Sequence, residues 1–409
     1  LLAKSRFISL AIFLFYSLDH LKFFYVFNSN HLLKSLISRG RSGSNNLNTK
    51  LSLKDLTGQM IITGFGGTCL NSELEELIVK SKIGGIILFE RNFEEPDQLI
   101  TLINDLQSLA KSCPASVPLF ISVDQEGGRV ARLKSPFSDF PQPSCLGHAR
   151  SESLAHRFGL ALGREMQAVG INMVYAPVLD VNTNPDNPII GTRALSDTPE
   201  WVGRMGKAVI DGIQEAGVFP VGKHFPGHGD TDRDSHLELP YVNRDMSSLE
   251  KVELEPFVQA VSHGLKVVMT AHVIYSAWDD KLPATFSPYI LKNILRKRLG
   301  FDGLIITDDL EMKAVEKHIP FDSIPRLGSI AGVDLYLICH DRGKTLSLQN
   351  QMIQDIEGGR IDKKQVEYSV QRIINFKKKI PFSAHGKKNL SDLARGHIKL
   401  IQEMKSYLP

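Results

Sequence analysis

The sequence predicts an α/β fold of one kind, a single (β/α)8 barrel, and three observations carry that prediction. Eight short apolar runs recur past residue 50, amphipathic segments separate them, and polar residues gather at the C-terminal ends of the runs. The runs are QMIITGF (59–65), GGIILF (84–89), PLFISVD (118–124), NMVYAPVLD (172–180), VFPVGKH (218–224), KVVMTAH (266–272), GLIITDD (303–309) and VDLYLIC (333–339). Each is nearly continuous in Val, Ile, Leu and Phe, the pattern of parallel strands buried on both faces. Strand alternating with helix eight times is the order of a barrel, and a doubly wound open sheet is its rival on pattern alone.

The intervening segments justify the helices. PDQLITLINDLQSLAKS, SLAHRFGLALGREMQAVG and PEWVGRMGKAVIDGIQEAG are amphipathic, and the last two end in Gly170 and Gly217, residues suited to C-caps. The strand ends favour the barrel over its rival. Asp124, Asp180, Lys223, His224, His272 and Asp308 all stand at the rim where barrel enzymes assemble their sites. Six convergent ends point to an enzyme. GFGG at Gly64 to Gly67 is too short and misplaced for a dinucleotide fingerprint and reads as a turn.

Composition sets outer limits. The 409 residues, 42% hydrophobic and 23% charged, suffice for a barrel of about 250 residues or more with extensions. The net charge of +3 is the difference between 48 basic and 45 acidic residues spread along the chain, which is no footprint for nucleic acid. Cys69, Cys113, Cys145 and Cys339 are far apart and form no CxxC pair, so they read as buried thiols. Residues 1–50 differ from the rest: FISLAIFLFYSL follows Lys4 and Arg6, and a polar Gly/Ser/Asn stretch follows it. This segment reads as a signal, an anchor or an upstream extension, and Asp19, His20 and Lys22 interrupt it too early for a full span. The expected organisation is therefore 1–50 as that segment, 51–380 as a catalytic barrel and 381–409 as a helical tail.

The chemistry concentrates in KHFPGHGDTDRDSH, Lys223 to His236. A metal reading meets an obstacle in Pro226 and Gly227, which separate His224 from His228 and deny them a shared helical face; no metal is expected. A calcium reading places Asp230, Asp232 and Asp234 at the first ligand positions, but Ser235 then replaces the glycine and Tyr241 the final glutamate. A solvated loop accounts for the glycines and aspartates but not for three histidines beside a strand-end lysine. In the catalytic reading, Asp234 and His236 alternate along an extended segment, so the carboxylate orients the imidazole and raises its basicity. The glycines upstream would let the loop carry His236 over the barrel mouth. Asp308, in TDDLEM, supplies the carboxylate that a retaining glycoside hydrolase needs opposite its proton shuttle.

These motifs, with VDQEGGRVARL before them and IITDDLEM after them, resemble glycoside hydrolase family 3, and within it the NagZ-type β-N-acetylglucosaminidases of peptidoglycan recycling. The resemblance runs from about Leu51 to Ile380 and implies a (β/α)8 barrel, with no cofactor. It implies that Asp308 is the nucleophile forming a covalent glycosyl intermediate, His236 the general acid/base and Asp234 its dyad partner. It implies that Asp124, Arg132, Lys223 and His224 hold the hydroxyls of the terminal sugar. Arg193 falls where the family has an arginine contacting the N-acetylglucosamine, although RALS replaces the usual RSFG-like context. Nearby residues have blander readings: Asp309 as structural, His228 and Asp230 as shapers of the loop, Glu126 and Arg129 as internal ion-pair partners. His272 could line the pocket or pack beneath it.

The expected enzyme is thus an exo-acting β-N-acetylhexosaminidase that removes N-acetylglucosamine from peptidoglycan fragments, and a monomer. A β-glucosidase or broader hexosaminidase of the same family would share the catalytic residues, and a silent cell-wall-binding barrel would not need them. A histidine acid/base repels phosphate less than a glutamate would, so a phosphorolytic side activity is a further expectation, tested by formation of a sugar 1-phosphate. The resemblance favours the cytoplasm, whereas residues 4–27 favour export or anchoring.

Overall fold

Eight parallel strands pair in chain order and close on themselves. They are β1 (Ile61–Thr63), β2 (Gly85–Leu88), β3 (Phe120–Val123), β4 (Met173–Val174), β5 (Phe219–Pro220 with Gly222–Phe225), β6 (Val267–Thr270), β7 (Leu304–Asp309) and β8 (Leu335–Ile338). Ile62 stands opposite Gly85 at one side of β1, and Ile61 opposite Tyr336 at the other, which closes the ring. Val221 interrupts β5: its amide bonds to the carbonyls of Val174 and Ala176, both at 3.0 Å. The first half of β5 therefore pairs with β4, and the second half with β6. The closed ring excludes the open-sheet alternative. The computed structural model describes residues 51–113, 116–231, 239–383 and 390–408. The N-terminal segment 1–50 and the predicted pair Asp234 and His236 lie outside the described residues.

Every residue of β2, β3, β6 and β8 is buried, because helices cover the outside and side chains fill the inside. That double coverage is why the runs lack period-two alternation. Helix α1 (Leu53–Gln59) opens the domain with a reciprocal cap between Ser52 and Asp55. Helix α2 (Pro96–Ser112) starts at a proline and buries Leu99, Leu102, Ile103 and Leu106 along one face. Helix α3 (Glu152–Val169) is capped by Ser151 and closed by Gly170 at φ 91°, and α4 (Pro199–Glu215) is followed by Gly217 at φ 82°. After the barrel come α5 (Lys363–Lys377), α6 (Leu390–Gly396) and α7 (Ile398–Lys405), the last two packed against α3.

All four cysteines are free, but only Cys145 and Cys339 are buried. Cys113 is half-buried and Cys69 is exposed in the loop after β1. Among the described residues no helix is long and apolar enough to cross a membrane, and no three His, Cys, Asp or Glu side chains are grouped to hold a metal ion.

Candidate active site

The polar strand ends converge on a cavity of ≈ 360 Å³ at the C-terminal rim of the barrel. Asp124, Arg132, Arg193, Lys223, His224 and Asp308 all line it. The barrel itself brings them together, since they follow or end β3, β5 and β7 or lie in the loops beyond β3 and β4.

One side is an ion-pair network. Asp124 ends the third apolar run, and the chain then turns through a small hairpin, Gln125–Gly127 against Val130–Ala131. The Lys223 Nζ donates to Asp124 Oδ1 at 2.8 Å and lies 2.6 Å from Glu126 Oε1. Arg193 clasps the other side of Glu126 with two bonds, Nε to Oε2 at 2.9 Å and a terminal nitrogen to Oε1 at 2.8 Å. Burial alone would raise the Glu126 carboxyl, but Arg193 and Lys223 outweigh it and hold it well below the usual carboxylate range. Burial likewise opposes the charge on Lys223, yet Asp124 and Glu126 keep its ammonium above its ordinary value. Arg193, proposed from sequence as a sugar contact, thus has its guanidinium committed to Glu126 while also bordering the cavity. Arg129 donates to the backbone carbonyls of Pro188, Ile189 and Ile190. Arg132 differs from both: its Nε is buried without a hydrogen-bond partner, and its guanidinium lies 5.7 Å from the Phe89 ring. The residue also lines the cavity, where its guanidinium can donate to a ligand oxygen.

A second cluster fixes the histidines. Asp180 is fully buried and accepts from the His224 ring at Nδ1 (2.7 Å), from the His224 amide (3.0 Å) and from the His228 amide (2.8 Å). Burial raises the Asp180 carboxyl, but the His224 ring beside it brings the balance below the usual value. With Nδ1 engaged, Nε2 is the His224 nitrogen left for the cavity. His228 also lines the cavity, and burial together with the nearby His224 pushes its pKa down to about 4, so its ring is neutral at pH 7.

The loop beyond β5 departs from expectation. Gly227 and Gly229 are buried, and neither is a hinge. A side chain at Gly229 would approach the Val181 carbonyl to 1.6 Å, and one at Gly227 would meet Glu253 at 2.8 Å. Tyr275 Oη donates to the Gly227 carbonyl at 2.5 Å, Asn187 bonds the carbonyls of His228 and Gly229, and Arg244 grips Asp230. The glycines therefore serve close packing, and residues 226–231 form a fixed platform.

Asp308 is the next-to-last residue of β7 and lines the cavity. Its Oδ1 accepts the Asp309 amide at 2.8 Å, and among the described residues it is in no ion pair. Burial raises its carboxyl, but the His224 and His272 rings, the Asp309 amide and Lys223 together hold it below the ordinary value. Asp309 goes the other way: burial and the charges of Glu311 and Asp308 push it up to about 7. His272 lies beneath the cavity, its Nε2 3.1 Å from the Asp309 carbonyl and its Nδ1 2.8 Å from Thr285 Oγ1.

Tyr175, Phe89 and His340 also line the cavity and were missed in the sequence. Phe89 and His340 pack with ring centroids 5.1 Å apart, and Tyr175 Oη lies 2.9 Å from Ser122 Oγ. Phe89 ends its apolar run and His340 directly follows one, so inspecting strand ends for aromatic rings would have found both.

Comparison with known proteins identifies the family of this barrel. Residues 52–376 match the family described as the glycosyl hydrolase family 3 N terminal domain. A beta-hexosaminidase from Alkalilimnicola ehrlichii is 40% identical over 286 residues, 68% of this chain and 80% of that one. The structure of a glycoside hydrolase family 3 beta-N-acetylglucosaminidase from a Paenibacillus species superposes with a TM-score of 0.82 at 37% identity, covering 88% of this chain and 69% of the other. Native NagZ from Neisseria gonorrhoeae superposes at 0.70 with 30% identity, covering 85% and 96%. The chain belongs to glycosyl hydrolase family 3 and is a glycoside hydrolase.

Proposed function

We propose that this glycoside hydrolase is a retaining, exo-acting β-N-acetylhexosaminidase that removes terminal N-acetylglucosamine from peptidoglycan fragments. The observation that carries the reading is Asp308: a carboxylate held below its ordinary pKa, in no ion pair among the described residues, facing a cavity that Asp124, Arg132, Lys223 and His224 also line. At ≈ 360 Å³ the cavity is at the small end of ligand sites, a size for one terminal sugar ring rather than a chain. Asp124, Lys223, His224 and the Arg132 guanidinium supply donors and acceptors for its hydroxyls. The names of the relatives, beta-hexosaminidase and beta-N-acetylglucosaminidase, support the choice of sugar.

In this reading the Asp308 carboxylate attacks the anomeric carbon as the glycosidic C–O bond breaks. His236 gives its proton to the departing oxygen, and Asp234 orients and stabilises the imidazolium side of that transfer. His236 then takes a proton from water as the water oxygen displaces Asp308. The DSH spacing supports the pair, and the platform ending at Thr231 supports a fixed take-off point for the segment bearing them. The test is proton NMR of 4-nitrophenyl β-N-acetylglucosaminide hydrolysis. Early β-anomer product means retention, and early α-anomer sinks the mechanism. Asp308→Ala should reduce kcat on the order of 10⁴-fold, and full hydrolysis by that variant would equally overturn it.

A further inference from the structure

Beyond the barrel, the helical tail makes a part-buried polar contact with α3, in a segment outside the family match, which ends at residue 376. His397, between α6 and α7, places Nδ1 2.7 Å from Glu165 Oε1 on α3. Glu165 is only 1% exposed. The same carboxylate accepts the Ser138 amide at Oε2 (2.9 Å) and the Ser138 hydroxyl at Oε1. A serine, a histidine and a glutamate together suggest a nucleophilic triad, but the geometry excludes it. One ring nitrogen faces both partners, with Ser138 Oγ 3.2 Å from Nδ1, whereas a relay needs the two nitrogens to bond different groups.

The cluster reaches the active site through packed backbone. Two residues after Ser138, the Phe140 carbonyl accepts the Gly128 amide at 2.9 Å, while the Phe140 ring packs edge-on against Phe158 of α3 and faces His397 at 6.0 Å. The hairpin turn rests directly on this strip. A Cβ at Gly127 would come 2.7 Å from the Pro141 carbonyl, and one at Gly128 would come 2.8 Å from Gln142 Cα. Both glycines have positive φ, 96° and 58°, so the turn is shaped to this support and tolerates no side chain. The hairpin carries Glu126, which holds Lys223 and Arg193, and the cavity-lining Arg129 and Arg132.

We propose that His397 is a positioning residue: through Glu165 and Ser138 it holds the 138–142 strip against the hairpin, so that the tail sets the geometry of the sugar-binding side of the cavity. The proposal rests on the sugar-binding role given above to that hairpin.

The test uses the full chain and three variants. His397→Ala removes the bond to Glu165. His397→Asn keeps a short donor at the same place. Glu403→Ala breaks the exposed Arg157–Glu403 pair, which joins the tail to α3 without touching Ser138. On 4-nitrophenyl β-N-acetylglucosaminide, His397→Ala should raise KM on the order of tenfold, the scale of losing a charged hydrogen bond, with kcat nearly unchanged. His397→Asn should recover most of the loss, and Glu403→Ala should match the wild type. Amide hydrogen exchange should quicken at 125–132 and 138–142 in His397→Ala. The proposal is overturned if KM stays at the wild-type value, if faster exchange is confined to the tail, or if Glu403→Ala behaves as His397→Ala does. Should His397→Ala fail to fold, His397→Phe carries the same expectations, because it keeps an aromatic ring against Phe140 and removes the bond to Glu165. If the wild type hydrolyses no N-acetylglucosaminide, the assigned activity fails, and exchange alone decides the positioning role.

Discussion

Replacing Arg193 by methionine separates two roles for this side chain. In the structure its guanidinium makes a bidentate bond to Glu126, with side-chain exposures of 10% and 2%. Breaking one side of a buried pair costs about 3–5 kcal/mol, because a buried charge is left uncompensated. Here Lys223 remains 2.6 Å from Glu126, so the lower end applies, about 3 kcal/mol. At roughly 2 °C per kcal/mol for a domain of this size, Tm should fall by about 6 °C. The loss should be smaller in the Arg193→Met, Glu126→Gln double variant, and the coupling from that cycle isolates the pair. Acidification provides a second check. A Glu held below its unfolded value of about 4.3 stabilises the fold above that pH, and the contribution is lost as pH falls through the folded value. Arg193→Met should therefore lose less stability than the wild type on going from pH 5 to pH 3. Calorimetry across that range and Michaelis kinetics at neutral pH read out both roles. A Tm within about 1 °C of wild type, together with a KM raised on the order of a hundredfold, would show Arg193 to be a sugar ligand and refute the structural reasoning.

Two other groups give independent predictions. Glu253 has both carboxylate oxygens buried without a hydrogen bond, with Arg244 3.7 Å away, and burial pushes its pKa up to about 7. A raised carboxyl contributes stability that is full below its unfolded value and is lost as pH rises through the folded one, so Glu253→Gln should raise Tm more at pH 8 than at pH 4; equal shifts at both pH values would contradict this. Iodoacetamide on the native protein should modify the exposed Cys69 first, while the Cys145 thiol, pushed up by burial to about 12, and the buried Cys339 stay unlabelled. Peptide mass spectrometry reads the order, and early labelling at Cys145 would contradict its complete burial.

The strands were legible because burial on both faces leaves an unbroken apolar run, and the site was legible because the runs end in polar residues the core cannot hold. VFPVGKH ends in Lys223 and His224, and the structure places both at the cavity. What was not legible depends on long-range approach. Gly227 and Gly229 look like hinge glycines locally, and only the Val181 carbonyl and Glu253 side chain, tens of residues away, show that they are packing contacts. Arg193 looks like a free cation until Glu126, 67 residues earlier, is found beside it. His397 gives no local signal at all, since its partner lies 232 residues away on α3.

The acids around the cavity divide by how their charge is balanced, and this division bears on which one can act on substrate. Asp124 and Glu126 are matched by Lys223 and Arg193, and Asp180 by His224, all at hydrogen-bonding distance. Such carboxylates are oriented and electrically satisfied, which suits them to positioning. Asp309, buried and crowded by Glu311 and Asp308, is pushed toward neutrality. Asp308 is ionised, yet its stabilisation comes from an amide and from rings and an ammonium that make no ion pair with it. A carboxylate bonded directly to a cation would have to break that bond to attack carbon. One stabilised from a distance keeps its charge and its open lone pairs together, and among the described acids Asp308 is where the barrel provides that combination.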